Sequence, residues 1–388
     1  MTADIDADLS AAAKAHPTPG FVAGVVKNGE TVYRGALGSA HLKGPAPIRT
    51  DAVFRIASMT KAVTAVAAMQ LVEQGRLDLD APLGAIIPLL GERQVLEGFG
   101  ADGQPRLRPA KAPVTLRNLL THTSGFAYDM WNAELLRYEG HAGIPSIGSG
   151  LNASLDLPLM FDPGKRWEYG IGIDWAGKVV EAVSGQGLDA YMGEHIFAPL
   201  GMVDTAFAPT AAMAERLAPL TTRLEHGGMA PMDLPSPPAP EFCSGGGGLL
   251  STLDDYLAFL QMVLHAGTWN GARVLKPETL ALMSRDHIGE IPLRKLETAV
   301  PFLSRDLTLQ AQAPAGWGLS WIVGKDAGPN GRAAGALAWA GLFNTYYWVD
   351  PAAKLAGVWM TQILPFEDPQ SLAVFGAFER AAYKAFGT

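Results

Sequence analysis

Phe54-Arg55-Ile56-Ala57-Ser58-Met59-Thr60-Lys61 leads into a run dominated by Ala, Val and Met that reaches Val72. The run is too continuously apolar for a surface helix and too short to cross a bilayer, so it reads as a helix buried on most faces. Two polar side chains break its start. Ser58 and Lys61 stand three apart and share one helical face, with the serine at the end where backbone N–H groups lack partners. A hydroxyl is a poor nucleophile at neutral pH, and an amine in apolar surroundings loses its preference for charge and can act as a base. A Ser-x-x-Lys pair arises by chance in about every second chain of this size. Placement gives the pair its weight, because a lysine this early in so apolar a helix has few harmless places for its charge.

The 388 residues suffice for one large or two medium domains, and 48% hydrophobic with 18% charged residues marks a folded globular chain. A formal charge of -8 without a long basic run argues against nucleic acid or an anionic membrane as partner, and favours a small organic substrate. Cys243 stands alone, which rules out an intrachain disulfide and a cysteine-built zinc site. The first twenty residues carry Asp4, Asp6 and Asp8 but no apolar core after a basic start, so the expected compartment is the cytoplasm.

Along the chain, residues 3–14 read as a helix, and residues 21–36 as a hairpin turning at Asn28-Gly29. Residues 95–113 read as a surface loop, and Thr115 as the cap of a short helix ending at His122. His122 lacks a nearby triad and reads as a residue holding that corner. Residues 126–159, with Tyr128 and Trp131, read equally as a loop lining an apolar pocket or as mere packing. Tyr169, at the mouth of a helix over 173–183, is by itself an ordinary packing tyrosine. A helix over 188–197 is expected to stop at Pro199, and residues 231–240 to form a Pro-rich crossing loop. The glycines after Cys243 lack phosphate-loop spacing and read as tight backbone packing. Ser251 or Thr252 caps the next helix, and Pro277 opens another. From residue 316 the texture turns to strands over 317–323, 333–340, 344–349 and 355–362, closed by a helix over 372–386.

The predicted fold class is therefore α+β. An antiparallel sheet is assembled from residues 1–60 and 275–388 and flanked by helices, with a mainly helical lobe inserted over 61–274 and a cleft between the lobes. Neither His-Glu-x-x-His nor Gly-x-Ser-x-Gly occurs, so no metal and no elbow serine is available. The chemistry calls for no cofactor, and the Ser-Lys pair remains as the nucleophile constellation.

Four stretches taken together resemble the successive blocks of the serine β-lactamase and penicillin-binding-protein superfamily. They are Ser58-Met59-Thr60-Lys61, Leu119-Leu120-Thr121-His122-Thr123-Ser124-Gly125, Pro163-Gly164-Lys165-Arg166-Trp167-Glu168-Tyr169 and Gly246-Gly247-Gly248-Leu249-Leu250-Ser251. The branch most similar is the family VIII carboxylesterases, themselves similar to class C β-lactamases. The resemblance implies that Ser58 is acylated and that Lys61 and Tyr169 share proton transfer, the phenol being lowered in pKa by Lys61. It places Ile171 where the lactamases carry an amide. It also sets Trp339-Ala340-Gly341 in place of Lys-Thr-Gly, removing the cation that would hold a carboxylate. Backbone N–H groups of Ser58 and Leu342 would form the oxyanion hole, with Tyr128, Trp131, Ile171, Trp339 and Gly341 around the substrate. The implied activity is a serine carboxylesterase on small, short-acyl esters. A β-lactamase or D-amino-acid amidase and a catalytically silent binding protein stand as alternatives.

Overall fold

Alternating apolar residues in the two terminal segments make one antiparallel sheet. The N-terminal strands are β1 (Phe21–Lys27) and β2 (Glu30–Leu37). Asn28 and Gly29 join them, both at positive φ, as a tight hairpin turn requires. The C-terminal strands are β3 (Ala315–Trp317), β4 (Ile322–Gly324), β5 (Leu337–Gly341), β6 (Thr345–Asp350) and β7 (Leu355–Met360). The seven strands lie in the order β3-β4-β5-β6-β7-β1-β2, so the sheet's last strand in sequence pairs with its first, Val22 opposite Met360. The computed structural model describes the chain apart from Met1, Lys43, Pro45, residues 235–239, residues 310–312 and Thr388. Most of the expected crossing loop over 231–240 therefore lies outside the described residues.

Period-two alternation along β6 decides what covers each face. Tyr346 stacks on Phe375, and Trp348 meets Phe378 edge-on. Both partners belong to a C-terminal helix, Pro369–Phe386, which lies beside the N-terminal helix α1 (Thr2–Ala15). Tyr347 points the other way, to Tyr256 of the helix Leu253–Leu264, capped by Thr252. That helix presses on β1 so closely that a Cβ on Gly24 would come within 2.7 Å of Leu257. The helix expected after Ser58 is α2 (Thr60–Glu73), every residue from Thr60 to Leu71 being buried. It packs against α3 (Gly172–Ser184). The later helices Leu253–Leu264 and Pro369–Phe386 are α4 and α5.

Several elements differ from expectation. Residues 94–109 are not a loop but a hairpin, Gln94–Phe99 against Pro105–Pro109, whose Gly and charge content hides the strand pattern. Residues 126–159 contain a helix, Ala133–Ala142, started by the Asn132 side chain and ended by Gly143 in the left-handed region. Pro199 does not end its helix. The turn Gly193–Phe197 is wound wider, a new turn Ala198–Leu200 starts with Pro199 near its beginning, and Gly201 closes it. The strand expected over 317–323 is broken by a tight reversal in which Ser320 takes φ +85°, and β5 starts only at Leu337. No helix of the described residues is long and apolar enough to cross a membrane.

Gly357 of β7 sits opposite Trp348, and a Cβ there would lie 2.2 Å from the indole. Gly357→Ala is therefore expected to lower stability by about 1–3 kcal/mol, the usual penalty for overpacking. A thermal melting midpoint equal to that of the wild type would refute this.

Candidate active site

The nucleophile segment is fixed from both sides before α2 begins. Phe54–Arg55 pairs antiparallel with Leu250–Ser251, Ile56 N–H donates to Leu249 O at 3.1 Å, and Leu249 N–H donates to Thr60 Oγ1 at 3.1 Å. Ala57 takes φ +44°, an unfavourable value for a residue with a Cβ, and turns the chain into the single tight turn that carries Ser58. The end of β5 closes on this turn. A Cβ on Gly341 would lie 2.3 Å from Ile56 O and 2.3 Å from Thr345 Oγ1. Gly341 thus lets the strand reach the serine rather than touching a substrate itself.

Lys61 follows one turn later with its side chain wholly buried. Its Nζ lies 3.1 Å from Ser58 Oγ, 2.9 Å from Tyr128 Oη and 2.6 Å from Gly246 O. Burial strips the ammonium of water and lowers its pKa to about 7, while the charge of Asp174 opposes that shift. Asp174, on the first turn of α3, is equally buried. Its Oδ1 accepts from Ser244 Oγ at 2.7 Å and from Gly246 N–H at 2.9 Å. Oδ2 has no hydrogen-bond partner among the described residues. The Gly246 peptide thus stands between carboxylate and amine, and a Cβ there would sit 2.3 Å from Asp174 Oδ2. The glycine-rich stretch is tight packing, as read from sequence, and it also supplies an acceptor for Lys61.

Tyr169 arrives on the segment before α3. His122 holds that segment through its left-handed backbone, φ +56°. Its carbonyl accepts Glu168 N–H at 2.9 Å and its Nδ1 accepts Gly170 N–H at 3.4 Å. Burial keeps the imidazole neutral, and its ring lies 4.5 Å from that of Tyr169. The corner-holding role read for His122 is what the structure contains. Trp339 Nε1 donates to Tyr169 Oη at 3.0 Å, and the same oxygen is hydrogen-bonded to Ser58. An indole only donates, so the phenol oxygen accepts from Trp339.

Lys61 approaches Tyr169 through the ring face, 4.7 Å from its centroid, rather than through the oxygen. Burial pushes the phenol's pKa up, and hydrogen bonds from Ser58 and Trp339 only moderate the rise. This corrects the expectation of a phenol lowered by Lys61: the group brought near neutrality is the amine.

A cavity of about 680 Å³ opens over Ser58. Tyr128, Trp131, Tyr169, Trp339 and Leu342 line it with Ser58, so these expected residues converge. Ile171 and Gly341 do not line it. Ile171 is buried where α3 begins and points into the core. The sequence reading missed Asp174, the Gly246 carbonyl and the Tyr128 to Lys61 bond. The first was legible only as an acid in the opening turn of an apolar helix.

This arrangement, a serine hydroxyl beside an amine whose pKa is lowered to about 7 and a phenol whose pKa is raised, at the mouth of an apolar cavity, is that of a serine acyl-transfer enzyme. The family model described as Beta-lactamase matches residues 5–379, and the chain belongs to that family. It is 33% identical over 350 residues to the monacolin J acid methylbutanoyltransferase of Aspergillus terreus, covering 88% of this chain and 84% of that one. It is 30% identical to the lovastatin esterase of Penicillium rubens, covering 92% of each chain. Among solved structures, the unliganded simvastatin synthase (LovD) of Aspergillus terreus superposes with a TM-score of 0.84 at 30% identity, covering all of this chain and 98% of that one. The protein is an enzyme of the serine β-lactamase superfamily, in which hydrolases and acyltransferases share one fold.

If neutral Lys61 is the resting base, kcat/KM for an ester rises with pH through about 7. Asp174→Asn removes the charge that supports the ammonium, so the rising limb is expected to move to lower pH. A pH profile that stays in place, or moves upward, would remove Asp174 from this role.

Proposed function

We propose that the protein is a serine carboxylesterase of the family VIII type, acting on neutral esters through a Ser58 acyl-enzyme. The observation that carries the reading is the charge of the cavity. Among its described lining residues Asp189 is the only Asp, Glu, Lys or Arg, and the walls are mainly Trp, Phe, Tyr, Met, Leu and Gly. A β-lactam or peptide carboxylate would find no cation there, and Trp339 stands where one would be needed. The volume suits a small ester with room for an acyl chain.

In this reading the amine's lone pair faces Ser58 while its two N–H groups are spent on Gly246 O and Tyr128 Oη. Ser58 Oγ attacks the ester carbonyl and its proton passes to Lys61. The carbonyl oxygen, now negative, takes hydrogen bonds from the Ser58 and Leu342 N–H groups, a contribution typically worth ~10²–10³ per donor. Gly341 supports that pairing by holding the end of β5 against Ile56. Tyr169 gives its proton to the departing alkoxide, leaving a phenolate whose ring face lies 4.7 Å from the Lys61 ammonium. Water, entering where the alcohol left, then cleaves the acyl-enzyme by the reverse transfers.

A second reading is acyl transfer to an alcohol in place of water. The methylbutanoyltransferase relative supports it, as does a cavity large enough for acceptor and acyl group together. One experiment covers both. Nitrophenyl esters of increasing acyl length are given to the wild type and to Ser58→Ala, with and without an added primary alcohol. Turnover in the wild type and a fall of at least ~10⁴ in the variant are expected. Free acid as the main product supports the esterase and new ester the transferase. A phosphonate probe that leaves Ser58 unmodified would sink both, and nitrocefin turnover rivalling that of the nitrophenyl esters would favour the lactamase alternative.

Trp339→Phe keeps the ring and deletes the N–H that orients Tyr169. A fall of roughly tenfold in kcat with little change in KM is expected from losing one such hydrogen bond. An unchanged kcat would show that the phenol is oriented without it.

A further inference from the structure

Behind the catalytic cavity, on the opposite face of the sheet, lies a second cavity of about 520 Å³ between β3–β5 and the start of α5. Ile322, Ala338 and Tyr346 line it from the sheet, and Leu372, Ala373 and Phe375 from the helix. A recess of about 130 Å³ adjoins it and shares Leu307, Trp339, Ala340 and Phe366 with the catalytic cavity. Neither was read from sequence, because the residues concerned look like ordinary core.

Glu367 lines both the second cavity and the recess. Its backbone is left-handed, φ +62°, and both neighbours are clamped. Phe366 N–H donates to Leu303 O at 2.8 Å, and Asp368 pairs with Arg223 while capping α5. The side chain is therefore held toward the void, yet among the described residues its carboxyl makes no hydrogen bond or ion pair. None of the described basic side chains around it reaches its carboxyl. Arg332 pairs with Glu379 above the Phe375 and Trp348 rings, Arg380 bonds Asn330, and His16 meets Gln370. Tyr346, whose ring faces the cavity, gives its phenol proton to Asn344. Asp326, on the exposed rim, adds negative charge.

One unanswered carboxyl is too few donors for a metal ion. A neutral ligand would leave the charge buried and unpaired, which is unfavourable. An ammonium group answers it, and the surrounding apolar and aromatic walls suit a hydrocarbon body. We propose that this cavity is a second ligand site, for a protonated amine carried on an apolar body, with its nitrogen at Glu367. The amine site is separate from the acyl site and is walled from it by Phe366 and Trp339. Burial pushes the Glu367 carboxyl up to about 7, so the site takes its full charge only above neutrality and amine binding strengthens as pH rises through that value.

Calorimetry with 2-phenylethylammonium and its neutral counterpart 2-phenylethanol tests this, using the wild type both free and with Ser58 phosphonylated. At pH 8 the ammonium is expected to bind about tenfold more tightly than the alcohol in both forms, the usual gain from a charge-assisted contact. That preference should shrink at pH 6 and vanish in Glu367→Gln. Ala373→Trp, which fills the cavity and leaves Glu367 in place, should block the ammonium. Equal ammonium affinity in wild type and Glu367→Gln would overturn the proposal, as would no saturable binding. Binding lost on phosphonylation would also overturn it, by placing the amine in the ester site as part of a substrate. Failure of the phosphonate to react counts against the ester reading alone, because the free protein still reports on the amine.

Discussion

A wholly buried amine organises this molecule. Lys61 sits in the first turn of a helix with no exposed face, and an ammonium stripped of water is held there only by what the rest of the chain brings to it. The acceptors come from three places far apart in sequence: the serine one turn back, a phenol at residue 128, and a carbonyl at residue 246. Asp174 adds a charge at the far side of the Gly246 peptide. Each of these partners is itself fixed by close backbone approach, at Gly246 and at the strand-like pairing around Arg55 and Leu250. Desolvation weakens the proton's hold, and the partners keep the nitrogen aimed at Ser58. Packing and chemistry here are one arrangement seen from two sides.

Much of this was legible in the sequence. Ser58 and Lys61 announced themselves by polar placement in an apolar helix, and the alternation of the terminal segments announced the sheet, down to the Asn28-Gly29 turn. Tyr169 was legible only through the block that contains it, since an isolated tyrosine carries no signal of its own. Asp174 was not legible, because its partners are a peptide and an amine that become neighbours only after folding. Ile171 was misplaced by assuming that the third position of a motif faces the cleft, whereas helix α3 begins there and turns the side chain inward. The phenol's acidity was misjudged for a related reason: proximity to a cation was weighed and burial was not. In the structure burial dominates for both groups, lowering the amine and raising the phenol.

Trp339 occupies a position with two consequences. Its indole N–H donates to Tyr169 Oη, and its bulk lines the cavity over Ser58. The strand's approach to Ile56, made possible by Gly341, brings that side chain to the serine.

The pairing of β1 with β7 bears on how the protein is made. Ser58 and Lys61 leave the ribosome early, but Trp339 and the strand that joins the two ends of the sheet follow some 280 residues later. Until then β1 has no partner on that side, and closing so long a loop is slow. A nascent or truncated chain therefore carries its nucleophile without the walls that would arm it. The wall around Ser58 is complete only once the C-terminal strands have joined the sheet.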